Sequence, residues 1–149
     1  MAEAAEKIID LNGEYRYKVD AKGRMSIPSA FRKVLATDLV VTPDPHDECL
    51  YVFEPQSFNC WVANAFVDKF GKYDSSNPQH VALRSLLKAR AANVESDGAG
   101  RVMLAAKQRE AVGIDKDVVV VGNTGYFEIW DAKRYDEKMS QVDLSLLFG

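Results

Sequence analysis

The sequence predicts an α+β fold, rich in strands and built from two copies of one unit, with helices between and after them. Three observations predict it. The pentapeptide Asp20-Ala-Lys-Gly-Arg24 recurs 77 positions later as Asp97-Gly-Ala-Gly-Arg101. The residues before each pentapeptide alternate apolar and polar, the period of a half-buried strand. Between the copies lie two stretches whose apolar residues fall at helical spacing.

The same displacement takes Arg32 to Arg109, Asp38 to Asp115 and Phe58 to Tyr135. It also takes Leu50-Tyr-Val-Phe-Glu54 to Phe127-Glu-Ile-Trp-Asp131. Matching over this distance with no net insertion marks a duplication, and a duplication governs the whole fold reading. The expected halves are 11–76 and 77–149, packed intimately as one unit.

In the first copy Tyr15, Tyr17 and Val19 alternate with Glu14, Arg16, Lys18 and Asp20, giving a half-buried strand. Ala21-Lys22-Gly23 makes a tight turn in which Gly23 is free to take positive φ. Met25-Ser-Ile27 extends again, and Pro28 suits the first turn of a short helix through about Ala36. Leu39–Thr42 and Cys49–Phe53 read as a hairpin around Pro43-Asp-Pro-His-Asp-Glu48. In the second copy the strands fall at Asn93–Ser96, Val102–Leu104, Val118–Val121 and Tyr126–Trp130, with a short helix over Ala106–Val112. Between the copies, Phe58, Trp61, Val62, Ala65, Phe66 and Phe70 share one helix face. After the break at Gly71–Asn77, Asn77-Pro78 is a cap and first position for a second helix, whose stripe is Leu83, Leu86, Leu87, Ala91 and Val94. Both stripes read as core.

Composition narrows the function classes. With 47% hydrophobic and 28% charged residues the chain is globular, not a disordered tail. Its longest apolar run is about five residues, against roughly 20 for a bilayer span. Met1–Lys7 has no apolar block of signal-peptide length, so the expected location is the cytoplasm. Cys49 and Cys60 sit in no metal-ligand spacing and read as reduced packing residues. His46 and His80 fall far apart in polar stretches read as loops, with no catalytic or metal role expected. The net charge of −3 is unusual for a nucleic-acid binder, but the charges are unevenly placed. Between Glu14 and Lys33 six cations (Arg16, Lys18, Lys22, Arg24, Arg32, Lys33) face two anions, Glu14 and Asp20, leaving that segment locally +4.

The Asp-x-x-Gly-Arg pentapeptide has two readings. In the plain one, the carboxylate accepts turn amides and satisfies its own arginine, and the loop is only architecture. In the other, the guanidinium reaches a phosphate or a base edge with its planar fork. Repetition in a duplicated frame favours the second, since two loops then lie near a pseudo-twofold axis. The cationic setting of the first loop favours it too, because phosphate contacts dominate affinity for DNA.

At these residues the sequence resembles the MraZ family, whose halves carry an AbrB-like (SpoVT/AbrB, swapped-hairpin, double-split barrel) fold. Asp20-Ala-Lys-Gly-Arg-Met-Ser-Ile-Pro28 with Arg32 is similar to that family's first motif, and Asp97-Gly-Ala-Gly-Arg-Val-Met-Leu104 with Arg109 to the second. Val118–Gly122 and Phe127–Trp130 resemble its closing hairpin, and the resemblance spans roughly Leu11 to Met139. It implies a DNA-binding regulator of the division and cell-wall gene cluster and of its own operon. It also implies a ring-like homo-oligomer associated with the nucleoid. The partners are then double-stranded DNA, at spaced direct repeats, and the chain itself, with no cofactor, membrane or small-molecule substrate. The expected DNA-binding residues are Arg16, Lys18, Lys22, Arg24, Arg32, Arg101 and Arg109, with Asp20, Gly23, Asp97 and Gly100 as loop architecture. The copies differ: Lys22 becomes Ala99 and Pro28 becomes Ala105, while Glu95–Glu110 sums to zero charge.

A protein-only interaction module, such as an antitoxin or scaffold, is the alternative. Antitoxins on this half-fold append a long polar segment, and little follows Met139 here except Ser140–Gly149. An enzyme is not expected, for want of a Gly-rich phosphate loop before a helix or a His near a nucleophile. Ile8, Ile9 and Leu11, and Leu144, Leu146, Leu147 and Phe148, have no evident place in one chain. They either fold back or meet a neighbouring subunit.

Overall fold

The computed structural model describes residues 8–149, so Met1–Lys7, on which the signal-peptide reading falls, lies outside the described residues. The alternation around Tyr15 and Tyr17 becomes β1 (Glu14–Lys18), its tyrosines half-buried and its charges exposed. Beyond the first loop come β2 (Arg24–Ser26) and the short helix α1 (Ser29–Arg32), which Pro28 precedes. That helix stops short of Ala36, because the Ala36 amide donates to the Glu54 carboxylate (2.6 Å) and not to a carbonyl one turn back. β3 (Asp38–Pro43) and β4 (Leu50–Phe53) form the first hairpin. Asp44 holds the hairpin loop by accepting the amides of His46 (3.0 Å), Glu48 (2.6 Å) and Cys49 (2.9 Å).

Helices α2 (Pro55–Phe70) and α3 (Pro78–Ala89) separate the copies. The second copy then gives β5 (Ala92–Glu95), β6 (Arg101–Met103), α4 (Ala106–Ala111), β7 (Asp117–Gly122), β8 (Phe127–Asp131) and α5 (Ala132–Met139). A last turn, α6 (Ser145–Phe148), follows. The fold is α+β with antiparallel ladders, matching the class the sequence predicts.

The strands show how the copies are joined. Six of them form one sheet in the order β1-β7-β8-β4-β3-β5. Each copy's first strand therefore pairs with the other copy's hairpin: β1 with β7, and β5 with β3. At the centre β4 meets β8 with Tyr51 opposite Glu128, its own repeat counterpart. β2 and β6 form a separate two-stranded ribbon in which Met25 faces Val102, again its counterpart. A pseudo-twofold axis therefore passes through both pairs.

The register also refines the repeat. Asp38 pairs with Glu95 while Lys18, the counterpart of Glu95, pairs with Asp117, so Asp38 matches Asp117 and not Asp115. The connection into β7 is two residues longer than its equivalent, and the hairpin loop Asn123–Tyr126 two residues shorter than Asp44–Cys49. The two changes cancel, which hides them from a fixed displacement.

The main core lies between the sheet and the ribbon, where Phe31, Leu50, Phe127 and Ile129 are at most 1% exposed. A second cluster joins Phe58, Val62 and Phe66 of α2 to Phe53 of β4. α2 ends at Gly71 (φ 86°), and the Asn77 side chain accepts the amides of Gln79 and His80 with Pro78 at the first position of α3. The stripe read as core on α3 is core only in part: Leu83 and Leu86 are 41% and 58% exposed, and Phe70 of α2 is 47% exposed. Leu87, Ala91 and Val94 are half-buried and pack against the core clusters, the last two from beyond the end of the helix. Among the described residues nothing packs over the outer side of this helix pair.

His80 is not in a loop: it sits on α3, buried, its Nδ1 accepting the Asp74 amide (3.1 Å) and its ring against Phe66 and Phe70. Cys49 packs beside Val119 and Trp130, and burial pushes its thiol well above the usual range. Cys60, read as a packing residue, is exposed, because it falls on the solvent side of α2.

Candidate nucleic-acid interface

The two pentapeptide loops have one geometry. Asp20 Oδ1 accepts the amides of Lys22 and Arg24, each at 2.9 Å, and Oδ2 accepts from Arg24 Nε at 2.9 Å. Asp97 Oδ1 accepts the amides of Ala99 and Arg101, each at 2.9 Å, and Oδ2 accepts from Arg101 Nε at 3.0 Å. The backbone closes in the same way, with Gly23 N donating to Asp20 O and Gly100 N to Asp97 O, both at 2.9 Å. Each Asp therefore faces its own turn and fixes the base of its arginine. Among the described residues the Nη atoms of Arg24 and Arg101 hold no hydrogen bond, so the outer edge of each fork is free.

Glycine is required where it stands. Gly23 and Gly100 have φ of 86° and 77°, the left-handed region that side chains disfavour. Their carbonyls cross the axis: Ile27 N donates to Gly100 O (2.9 Å) and Leu104 N to Gly23 O (2.8 Å). A Cβ on Gly23 would stand 2.8 Å from the Leu104 carbonyl oxygen.

The ribbon then presents the arginines together. Met25 and Val102 point inward and are 2% and 1% exposed. By strand alternation Arg24, Ser26, Arg101 and Met103 occupy the other face. Arg24 and Arg101 are diagonal neighbours across the ladder, about 7–8 Å apart at their Cα atoms.

The other predicted cations have other surroundings. Arg16 pairs with Asp136 of α5 (2.7 Å) and with Glu14 (3.3 Å), and its hydrogen bond to Asp136 raises its pKa. Tyr135 shares that cluster; burial and the hydrogen bond it donates to Glu14 (2.9 Å) push its hydroxyl up to about 12. Lys18 pairs with Asp117 of β7 at 3.1 Å. Lys22 is exposed at the first loop tip, with no ion pair among the described residues. Arg32 and Arg109 cross over, each lying against the other copy's loop glycine. Sequence reasoning missed Asp117 and Asp136, whose only signal is their acidity, because their partners lie across the swapped sheet.

Both loop aspartates titrate below the usual carboxylate range. The largest cause is the arginine amide that each accepts, Arg24 for Asp20 and Arg101 for Asp97. A carboxylate whose folded pKa is depressed contributes stability present above its unfolded pKa and lost as pH falls through the folded value. The loops should therefore keep their order at neutral pH and loosen only below about pH 4. Carboxyl-carbon NMR titration of the whole chain checks this, and midpoints at or above the ordinary aspartate value would contradict the geometry.

Among the described residues no helix is long and apolar enough to cross a membrane. A family model described as "MraZ protein, putative antitoxin-like" matches residues 11–77 and 87–146. Curated relatives agree with it. A protein named transcriptional regulator MraZ from Nitrosospira multiformis is 36% identical over 128 residues, covering 83% of each chain. One of the same name from Nitrosomonas eutropha is 35% identical, covering 83% of this chain and 82% of its own. A third, from Mycobacterium ulcerans, is 37% identical over 125 residues, covering 84% and 83%.

Proposed function

The chain belongs to the MraZ family, and on that footing we propose that it is a sequence-specific DNA-binding transcription regulator that inserts the β2–β6 ribbon into the major groove. One observation carries the reading: a single exposed ribbon face holds Arg24 and Arg101 across a pseudo-twofold axis, each fixed at Nε with its outer fork free. The major groove admits a two-stranded ribbon and is about 12 Å wide, and arginine forks there pair with guanine edges. Two arginines about 7–8 Å apart span a few base pairs. Lys22 supplies a phosphate contact that the second loop lacks, because Ala99 stands in its place. The halves 11–76 and 77–149 work as one reading head. Its targets are the division and cell-wall gene cluster and its own operon, in the nucleoid.

The working unit is a homo-oligomer on direct repeats. Arg16 and Lys18 lie beside Asp136 and Asp117, whose charges offset theirs, so one chain offers DNA a modest net positive surface. A handful of phosphate contacts gives weak affinity at physiological salt, and several linked heads raise it. Two different apolar surfaces also lie open. Leu144, Leu146, Leu147 and Phe148 are 68–90% exposed, and the α2–α3 groove shows Phe70, Leu83 and Leu86. Unlike patches meeting head to tail generate a ring when the rotation between neighbours closes. At the other end Leu11 instead closes on the chain's own core, at 4% exposed.

The test is a mobility shift with the chain's own upstream region at two salt concentrations, followed by a footprint. We expect a steep salt slope, lowered by about one in Lys22→Ala, and protected boxes about 10 base pairs apart in one orientation. No shift at low salt would overturn DNA binding. A footprint over one isolated box, or a monomer in light scattering, would overturn the assembly.

A further inference from the structure

We propose that Arg32 and Arg109 are crossed braces: each belongs to one repeat and holds the arginine loop of the other in its DNA-ready shape. The side chain of Arg32 leaves α1 and lies across Gly100, where an added Cβ would collide with its Cδ and Nη1. Its Nη1 also faces the Ala99 carbonyl oxygen at 3.4 Å. Arg109 of α4 does the same in reverse. Its Nη2 stands 3.0 Å from where a Gly23 Cβ would be, while its Nε is anchored within its own copy by donating to Leu104 O (3.1 Å). Both glycines are buried although the loop tips around them are exposed, so the guanidinium planes roof the two positive-φ residues.

The roof matters because of what hangs from it. Gly100 is followed at once by Arg101, and its carbonyl anchors Ile27 of the first copy; Gly23 is followed by Arg24 and anchors Leu104 of the second. A loop free to lift off the ribbon would break these cross-axis bonds and release the arginine that follows. A planar guanidinium can lie flat on a glycine and still present donors at its edge, whereas a lysine ammonium is a strongly hydrated point charge that cannot. Only in its last step, from loop order to DNA affinity, does this rest on the DNA-binding reading above.

The test has two arms on the full chain. Amide hydrogen exchange without DNA should show Ala99 and Arg101 exchanging roughly threefold faster or more in both Arg32→Ala and Arg32→Lys. The amides of Lys22, Arg24 and the central sheet should stay unchanged; Arg109→Ala should give the mirror result at Lys22 and Arg24. Because no DNA is present, this arm stands or falls apart from the DNA-binding reading. In DNA binding, a double-mutant cycle should couple Arg32 to Arg101 by roughly threefold or more, while Arg32 and Arg24 act additively. Unchanged exchange at Ala99 and Arg101 would overturn the brace. So would an Arg32→Lys protein that keeps full loop protection and full affinity, the behaviour of a simple phosphate contact.

Discussion

Replacing Arg24 with alanine should cost roughly 100-fold in affinity for the specific site while leaving the fold intact. The side chain is only partly buried and pairs with the exposed Asp20, so its removal opens no cavity. What is lost is a guanidinium already oriented by its Nε, with both outer donors free to meet a base edge. Such a fork gives up little freedom on binding, and for that reason it contributes more than a mobile lysine. Arg101→Ala should cost less, because its segment carries no net charge and lacks the neighbouring lysine. Fluorescence anisotropy with the promoter fragment, alongside thermal unfolding, measures both. An Arg24→Ala protein that melts normally and binds as well as the parent would show that the ribbon face is not the reading surface.

The largest stability loss should come from Phe31→Ala, about 3–5 kcal/mol out of a total of roughly 5–15 kcal/mol for a domain. Phe31 is 1% exposed and touches both copies, with ring centroids 5.4 Å from Tyr15 of β1 and 5.4 Å from Phe127 of β8. It thus sits where the first copy's helix closes over a sheet to which each copy gives three strands. Its repeat counterpart, Gln108, fills the matching place by a different chemistry, donating to the Val41 carbonyl oxygen at 2.8 Å. The two halves therefore cannot compensate for each other at this point. Urea unfolding should show a lower midpoint with an unchanged slope. A loss below about 1 kcal/mol would mean that the core is not seated on this ring.

What the sequence made legible follows the range of each interaction. Strand alternation, the Asn77-Pro78 cap and the loop glycines are local, and all stand where the residues put them. So does the duplication, apart from the shift that pairs Asp38 with Asp117, since opposite insertions cancel in a count. The face of α3 was misread because periodicity reports amphipathicity without saying what covers the apolar side. The loop reading of His80 went against the Asn77-Pro78 cap, which already places it in the first turn of a helix, where its ring closes the gap between Phe66 and Phe70. In the candidate site, the Asp-to-Arg contacts could be inferred from spacing. The crossing of Arg32 and Arg109, and the pairing of Arg16 and Lys18 with acids, depend on the swapped pairing of copies that no local pattern reveals.

That swapped pairing also sets a timetable for synthesis. β1 leaves the ribosome first, but its ladder partner β7 is made about a hundred residues later, so Tyr17 waits for Val118. At roughly 5–20 residues per second the wait lasts about 5–20 s. Throughout it β1 is an unpaired edge, ready to join the wrong neighbour on a crowded polysome. Glu14, Arg16 and Lys18 occupy every other position of that strand, and charges there are what keep a solitary edge from sticking. The cations that fold into salt bridges in the finished sheet thus have earlier work, as gatekeepers of a nascent chain.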